Sequence, residues 1–400
     1  MSFPSCKHRK TPAAVPAGLT WLASEPFRLF FLSGALWSII GVSLWPLYYA
    51  GRLSFYPAIP HARLMIESFG GAFVVGFLGT AGPRMAGAPK LTVMELLLLF
   101  SLHMANGICH LKLMTGAADL CFVAMLGMLL AGLLARIVRF RQEPPPPQLL
   151  LALTGLLCGM AGALMFRSDA VLGNPASYRL ASLLLYQGLL LPPVLGIGTF
   201  LFPRILGGSF GEAGTPQARR RQSFRAAAAA VLLVGSFVVE SSGAVLAGAL
   251  LRAGAAAAYL IGGISWRRNP GDPPRGTLGR GLFWALGLGL GGLVAAGFFP
   301  PHHVSMEHLL YIGGFGILML VVGSRVLFGH SGDLAGFDRR WWVPRLILFM
   351  AVVAATTRAS AAIKPEIMIS HHKYAAWLWG TAVLLWLGWH SRRFFRRDES

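Results

Sequence analysis

The sequence predicts an all-α integral membrane protein with about twelve transmembrane helices and both termini in the cytoplasm. Three observations lead to this fold class. Of the 400 residues, 55% are hydrophobic and only 12% are charged, and the mean hydropathy is +0.61. Apolar segments of roughly the 20 residues that cross a bilayer as helix recur along the whole chain. Basic residues alternate between the two sides of these segments, so an ordinary soluble domain is excluded.

The apolar segments leave little of the chain for a separate soluble domain. They span residues 29–50, 62–82, 91–112, 117–138, 148–167, 178–201, 225–243, 244–266, 281–299, 304–327, 343–363 and 374–391. The run 225–266 is long enough for two crossings, with a turn near Ser241, Ser242 and Gly243. We therefore expect one membrane domain, 29–391, between a cytoplasmic tail, 1–28, and a basic cytoplasmic tail, 392–400. No internal repeat is evident in the sequence.

Charge placement predicts the orientation of the spans. When the N-terminus is placed in the cytoplasm, the cytoplasmic segments hold most of the 35 lysine and arginine residues. This is the pattern of the positive-inside rule, so the net charge of +20 indicates topology and attraction to the lipid bilayer, and no nucleic-acid partner. The first twenty residues lack the apolar core of a cleaved signal peptide, and we expect the first span to direct insertion into the membrane.

Several kinds of site are excluded by their missing motifs. Cys6, Cys109, Cys121 and Cys158 form no C-x-x-C pair, which excludes a thiolate zinc site and covalently attached c-type haem. Nucleotide loops, zinc-hydrolase motifs and nucleophile elbows are also missing, so soluble enzyme classes find no support. Glycines inside the spans favour close helix packing. At Gly313, Gly314 and Gly316 an alternative is that they leave room for a flat macrocycle near His308.

Histidines provide the strongest functional signal. Seven of the 11 fall on the predicted external side: His61, His110, His302, His303, His308, His371 and His372. Imidazole is the commonest metal ligand, so this one-sided collection predicts a metal or haem site. The tenth span begins with His302 and His303 in a loop and His308 one turn farther in. These could supply one ligand to a haem and one or two to copper; the alternative is a solvated loop with chance histidines.

The second span adds a charged pair to this signal. His61 opens it, and Arg63 and Glu67 follow at a spacing of i, i+4, which allows them to pair on one helix face. A carboxylate one to two turns into the bilayer is costly unless it is paired or functional, so we predict a proton-handling role for Glu67. His61 could instead be an interfacial residue. His371 and His372 extend the metal argument to the last span.

The remaining histidines lead to separate expectations. His103 is predicted to be a buried imidazole bonded to a neighbouring helix. His330 lies 22 residues after His308, roughly 33 Å along a helix, so the two cannot share one metal. His330 is expected to cap its helix and bind Asp333 or backbone, and His8 and His390 are expected to be solvated.

Two regions resemble the NnrS family, bacterial membrane proteins with haem and copper that are linked to nitric-oxide stress. The family has W-H-x-H-E-M and then G-F-L-x-T-A-x-P-x-x-x-G in its second span, where this chain has HARLM from His61 and GFLGTAGPRMAG from Gly76. Near the tenth span the family has H-A-L-T-V-G-A-x-G and T-R-V-x-L-G-H-T-G. This chain has HLLYIGGFG from His308 and SRVLFGHSG from Ser324.

The resemblance implies the cofactors, haem b and copper, and the residues that hold them. His61, His308 and His330 take the family's histidine positions, whereas Arg63 and Leu64 replace its second histidine and its acid. We expect His61, His308, His303 and Arg63 at the haem, and His302, His303, His371, His372 and His330 as further metal ligands.

The expected function is that of a haem-binding inner-membrane protein in the nitric-oxide and nitrosative-stress response. Its expected partners are nitric oxide or another small diatomic and a redox or membrane protein. If it is an enzyme, it is expected to be a haem-dependent oxidoreductase acting on nitric oxide. Two alternatives stay open, a secondary transporter with twelve spans and a haem-based redox sensor or assembly factor.

Overall fold

Helices make up the regular structure of this protein. The computed structural model describes residues 18–206, 215–264, 276–337 and 339–396, and no strand occurs within these ranges. The long helices, numbered α1 to α12, are Phe27–Tyr49, Ala58–Met85, Val93–Leu111, Thr115–Phe140, Leu149–Met165, Pro175–Leu206, Pro216–Ser241, Val245–Gly263, Thr277–Phe298, Pro300–Gly329, Trp342–Ser360 and Pro365–Phe395.

The predicted all-α membrane class is confirmed. Among the described residues, 10 helices are long and apolar enough to cross a membrane. The other two, α5 and α12, lie where the fifth and twelfth spans were predicted. Twelve crossings and cytoplasmic termini therefore stay predictions. Residues 1–17 and 397–400, with His8 and Cys6, lie outside the described part of the chain, so the two tails also stay predictions.

Helix boundaries follow the sequence signals closely. The helix α7 ends at Ser241 and α8 begins at Val245, which confirms the turn that divides the run 225–266. At its other end α7 begins at Pro216, well before the apolar segment. The Thr215 side chain accepts a hydrogen bond from the Ala218 amide (3.2 Å), and Pro216 suits the first helical position. Hydropathy detects only the apolar part of a helix, so this polar extension was missed.

The twelve helices form three successive units of four. In each unit a long helix is followed by a second helix interrupted near its start by a π-helical segment, and then by a hairpin of two helices. The units are α1–α4, α5–α8 and α9–α12. The sequence showed no repeat because the order of elements recurs while the residue identities do not. The repeat is therefore visible in the order of the helices and not in the amino-acid sequence.

The three units close into a ring. The last helix of each unit packs against the first helix of another: α4 against α5, α8 against α9, and α12 against α1. The second helices, α2, α6 and α10, are largely buried and converge at both ends of the bundle. We call the end where these three helices begin the histidine end, because the histidines near the starts of α2, α10 and α12 lie there.

Each of these central helices widens by an inserted π-helical turn. The π segments are Leu64–Gly70, Leu183–Gly188 and Leu309–Gly316. A π turn accommodates one extra residue and redirects the side chains around it, and such turns recur at functional sites. All three segments contribute residues to one cavity, described below. The π segments therefore help to form the wall of that cavity.

The glycines of α10 serve helix packing. A Cβ atom on Gly313 would lie 2.8 Å from the Cβ of Leu288, and one on Gly314 would lie 2.8 Å from the Cα of Gly289. A Cβ on Gly316 would meet the Trp379 ring at 2.6 Å. These positions are filled by neighbouring helices, so the alternative that they leave room for a macrocycle is wrong.

We expect Gly314→Ala to destabilise the protein. Its new methyl group would press on the backbone of Gly289, which cannot rotate away, and such overpacking typically costs about 1–3 kcal/mol. The matched control is Gly287→Ala on α9, where a Cβ would meet no atom within 4 Å. Melting temperatures in detergent should fall for Gly314→Ala and not for Gly287→Ala. Equal melting of the two variants would contradict the packing argument.

Candidate functional site

A cavity of about 600 Å³ lies at the histidine end, between α2, α6 and α10. Residues of α1, α11 and α12 complete its wall. Four histidines line it: His61 from α2, His303 and His308 from α10, and His372 from α12. Four of the predicted ligands, distant in sequence, therefore share one cavity.

The cavity is polar near its mouth and apolar at its floor. From His61 to Phe69 the wall formed by α2 runs inward by roughly 12 Å, at 1.5 Å per residue. On α10 the lining continues from His308 to Phe315 and Met319. The floor is closed by Phe69, Phe315, Met319 and the buried Trp379. A ligand with one polar edge and an apolar body fits such a gradient.

Hydrogen bonds fix which nitrogen of three histidines is free to bind a metal. The Nδ1 atoms of His61, His303 and His308 lie 2.9, 2.9 and 2.7 Å from the backbone carbonyls of Gly41, Pro300 and Val304. A carbonyl oxygen only accepts, so each Nδ1 carries the proton. Each Nε2 then holds the lone pair that a metal needs, and the backbone bond orients the ring, as is usual for metal-ligating histidines.

The fourth cavity histidine is held by aromatic residues of α1. The His372 Nδ1 lies 2.7 Å from the Tyr49 hydroxyl, and its ring centroid lies 5.2 Å from that of Trp45. The predicted ligands His302 and His371 are placed differently. His302 is exposed and does not line the cavity, and the His371 Nδ1 lies 3.1 Å from the Ser360 hydroxyl. Neither His302 nor His371 lines the cavity with the four histidines.

The α6 side of the cavity carries an ion-pair network. Arg179 donates to Glu240 at 2.5 Å and to Glu307 at 2.7 Å. Arg252 donates to the second oxygen of Glu240. Gln187 also donates to Glu307, at 3.2 Å. Two arginines and two carboxylates balance one another here, so this network ties α6, α7, α8 and α10 together without a net charge.

A second buried polar cluster surrounds Glu67. The predicted pairing with Arg63 is confirmed at 2.5 Å, and Arg63 also donates to Asp119 at 3.1 Å. The other Glu67 oxygen accepts from the Asn106 amide at 2.8 Å and lies 2.9 Å from the His110 Nε2. Neither Arg63 nor Glu67 lines the cavity. The structure therefore places Arg63, expected at the haem, in a neighbouring structural cluster.

This cluster contains a potential metal-binding group. Ligand atoms of Glu67, His110 and Asp119 all lie within 4.8 Å of one another. However, the guanidinium of Arg63 already bonds both carboxylates. A metal cation would have to displace it or approach it against like charge. The geometry thus favours an ion-pair network, which accounts for the acids in the membrane interior.

His330 belongs to a separate assembly at the opposite end of the bundle. Its Nδ1 donates to Glu25 at 2.7 Å, and its Nε2 lies 3.3 Å from an Arg84 nitrogen. Arg28 donates to Glu25 at 2.6 Å and to the His330 carbonyl at 3.0 Å. His330 caps the end of α10, as expected. Its side chain does not bind Asp333, which instead accepts from Arg393. Both ring nitrogens of His330 are engaged, and a metal role would require Arg84 to move.

We expect acid to weaken the assembly around Glu25. Burial favours the neutral carboxyl, but His330 and Arg28 outweigh it and lower the pKa of Glu25 from 4.5 to about 2. A group with a lowered folded-state pKa adds stability above its unfolded value, and this is lost as pH falls from about 4.5 to 2. This lowering of the pKa corresponds to a contribution of about 3 kcal/mol to the free energy of unfolding.

Melting of wild type and Glu25→Gln between pH 6 and pH 3 measures this contribution. The wild type should melt above Glu25→Gln at pH 6, and this difference in melting temperature should shrink as the pH falls. The control Glu366→Gln, which changes an exposed residue, should melt like wild type at every pH. A constant difference between wild type and Glu25→Gln over this range would contradict the assignment.

Two further histidines are structural. His103 is fully buried with its Nε2 3.0 Å from the Ser33 hydroxyl of α1, which confirms the predicted bond to a neighbouring helix. His390 is also fully buried and bonded to Ser324 at 2.9 Å, so the expectation that it is solvated was wrong. The reason is that α12 continues to Phe395, and His390 lies on the same inward face as Trp386.

Sequence reasoning missed several polar residues of the cavity. Arg179, Glu307, Tyr311 and Arg358 line it together with the histidines. Their shared signal is a charged or phenolic side chain within a turn or two of a span end. Such residues are common at interfaces, so their inward direction could not be read from hydropathy.

Nearly the whole chain corresponds to one protein family. The family model described as NnrS protein matches residues 21–397. The match covers all twelve long helices, including both histidine-bearing central helices. No curated protein matches the chain.

Proposed function

This chain belongs to the NnrS family, and on that premise we propose that it is a haem-binding inner-membrane protein of the nitric-oxide response. The haem would be held in the cavity at the histidine end by His61 and His308. One observation carries the proposal. Two histidines from two different central helices face one cavity, and each has its Nδ1 bound to a backbone carbonyl.

The donor set fits haem iron. Iron in a b-type haem takes its protein ligands on the two faces of the macrocycle, and histidine is a common one. His61 and His308 would supply neutral imidazoles with a free Nε2 from two different helices of the cavity wall, α2 and α10. The apolar floor suits the body of the macrocycle. The volume of the cavity also lies within the range of small-molecule and cofactor sites.

Copper has a separate pair of candidate ligands. His303 and His372 line the same cavity, and imidazole suits copper as well as iron. His302 and His371 would need to turn inward to join them. We therefore propose His303 and His372 as the copper ligands if copper is bound, and this assignment replaces the wider set expected from sequence.

The residues around the cavity define what the protein contributes. A bound haem supplies an iron centre that takes up nitric oxide and exchanges electrons. Nitric oxide is small and apolar, and it can reach the cavity from the lipid. The proton-handling role proposed for Glu67 would involve His110, whose Nε2 lies 2.9 Å from the carboxylate. If turnover occurs, the chemistry is haem-dependent oxidation or reduction of nitric oxide with an external redox partner.

The transporter alternative gains no specific support. Transporters of this size usually bind substrate where paired helices unwind near the membrane midplane. In the described part of the chain, α2, α6 and α10 continue through their π segments as helices. A haem-based sensor or assembly factor would use the same cavity, and it differs only in the protein partner that reads the haem.

Purification in detergent with haem and metal analysis tests the proposal. We expect a Soret band, a pyridine haemochrome of non-covalent haem, and a spectral change when nitric oxide is added to the reduced protein. Protein that binds no haem, either as isolated or after reconstitution, would rule out the proposed function. Proton-driven solute uptake by the metal-free protein in liposomes would favour the transporter instead.

A further inference from the structure

One cation in the cavity has no acidic partner. Arg358 lies near the end of α11 and lines the cavity together with His61, His308 and His372. Its guanidinium donates to the Ser305 hydroxyl at 3.0 Å. Among the described residues, no carboxylate oxygen lies within 4.0 Å of it.

The other charges of the cavity do not compensate Arg358. Glu307, the acidic residue in the cavity lining, already accepts from Arg179 and Gln187. The Arg179 network is balanced by its own two carboxylates. The histidines are neutral when a lone pair is offered to a metal. Arg358 therefore leaves the cavity with an excess positive charge, and charged groups that line such partly enclosed sites are normally paired.

An anion held inside the cavity would restore the balance. Ferric haem with two neutral imidazoles carries one net negative charge, because its two propionates outweigh the positive charge left on the iron and ring. Arg358 carries a charge that is opposite to it in sign and equal in amount. Arginine also has the planar, forked donor geometry that binds a carboxylate through two hydrogen bonds.

We propose that Arg358 binds the propionate groups of the haem. This inference rests on the proposed function and assigns the orientation of the cofactor: the carboxylate edge lies toward Arg358 and Ser305, and the apolar edge toward Phe69, Met319 and Trp379. The apolar floor and the cation near the mouth both require this direction. The reverse orientation would bury two carboxylates among apolar side chains while Arg358 stayed unpaired.

The same contact sets the redox behaviour of the site. Reduction adds one negative charge to the haem, and a nearby fixed cation stabilises the reduced form. Removing the charge of Arg358 should therefore lower the reduction potential. A tenfold change in the redox equilibrium corresponds to about 59 mV for one electron.

The test compares two cofactors in four proteins. Apo-protein of wild type, Arg358→Gln, Arg358→Lys and the control Arg167→Gln is titrated with haemin and with haemin dimethyl ester, whose propionates are masked. Arg167 is exposed and donates to the backbone of Gly116, outside the cavity. Reduction potentials of the loaded proteins provide the second readout.

We expect Arg358→Gln to bind haemin at least tenfold more weakly and to have a lower potential. Arg358→Lys should retain most of both properties, Arg167→Gln should match wild type, and with the dimethyl ester all four should bind alike. If wild type and Arg358→Gln bind haemin equally, or if the difference persists with the ester, Arg358 does not bind propionate. Wild type that binds neither cofactor would instead refute the proposed function.

Discussion

Replacing either His61 or His308 by alanine is expected to remove the bis-histidine haem spectrum. Each imidazole is oriented by a backbone carbonyl, Gly41 for His61 and Val304 for His308. In the described part of the chain, His61 is the histidine that α2 contributes to the cavity. Mutating a residue that hydrogen-bonds a metal ligand typically lowers the metal affinity 10–100-fold. Loss of the ligand itself should therefore lower the haem affinity by more than about 100-fold.

The measurement is the Soret absorption and haem content of each purified variant, with folding checked by gel filtration. His302→Ala is the matched control, because His302 belongs to the same α10 entry segment but is exposed and outside the cavity lining. His303→Ala should spare the haem spectrum and lower only copper content. An unchanged Soret band in folded His61→Ala and His308→Ala would show that the haem ligands lie elsewhere.

The largest loss of stability is expected for Arg63→Leu. Arg63 is the cation that bonds both Glu67 and Asp119, and all three side chains are at most 5% exposed. Removing one member of a buried ion pair leaves an uncompensated charge and typically costs about 3–5 kcal/mol. We expect most of this variant to be lost during purification, or to melt far below wild type.

A double variant distinguishes charge imbalance from loss of packing. Arg63→Leu/Glu67→Gln removes one charge of each sign and keeps an acceptor for the Asn106 amide, so it should melt above Arg63→Leu alone. The control Arg139→Leu removes an exposed arginine in the last turn of α4, at the end of that helix remote from Asp119. If the double variant is no more stable than the single one, the pair contributes through packing alone.

The sequence was sufficient where the signal was local. Apolar segments predicted every long helix, and the turn after Ser241 was correctly located inside a continuous apolar run. The Arg63–Glu67 pair could be predicted because i, i+4 residues share a helix face. His103 was correctly predicted to be buried because it lies in the middle of its span.

The sequence was insufficient where residues far apart in the chain meet. Asp119 reaches Arg63 across 56 positions, and Glu307 reaches Arg179 across 128. Which face of a membrane helix points inward depends on its neighbours, and hydropathy is similar on both faces. His390 was misjudged for this reason. The π segments also escaped prediction, because an inserted residue changes the direction of side chains without altering composition.

The ring of helices closes between α12, the last helix of the chain, and α1, the first, so the ring can be completed only at the end of assembly. Helices enter the membrane in chain order as the ribosome delivers them, and α12 is the last to arrive. The cavity wall lacks His372 and Arg358 until the third unit has been synthesised. A nascent chain therefore presents His61 long before it can present His308, and under the proposed function a haem would find both ligands only after α10 has been synthesised. Capture of the proposed cofactor would thus follow insertion of the polypeptide, and the final hairpin is the part of the chain that completes its site.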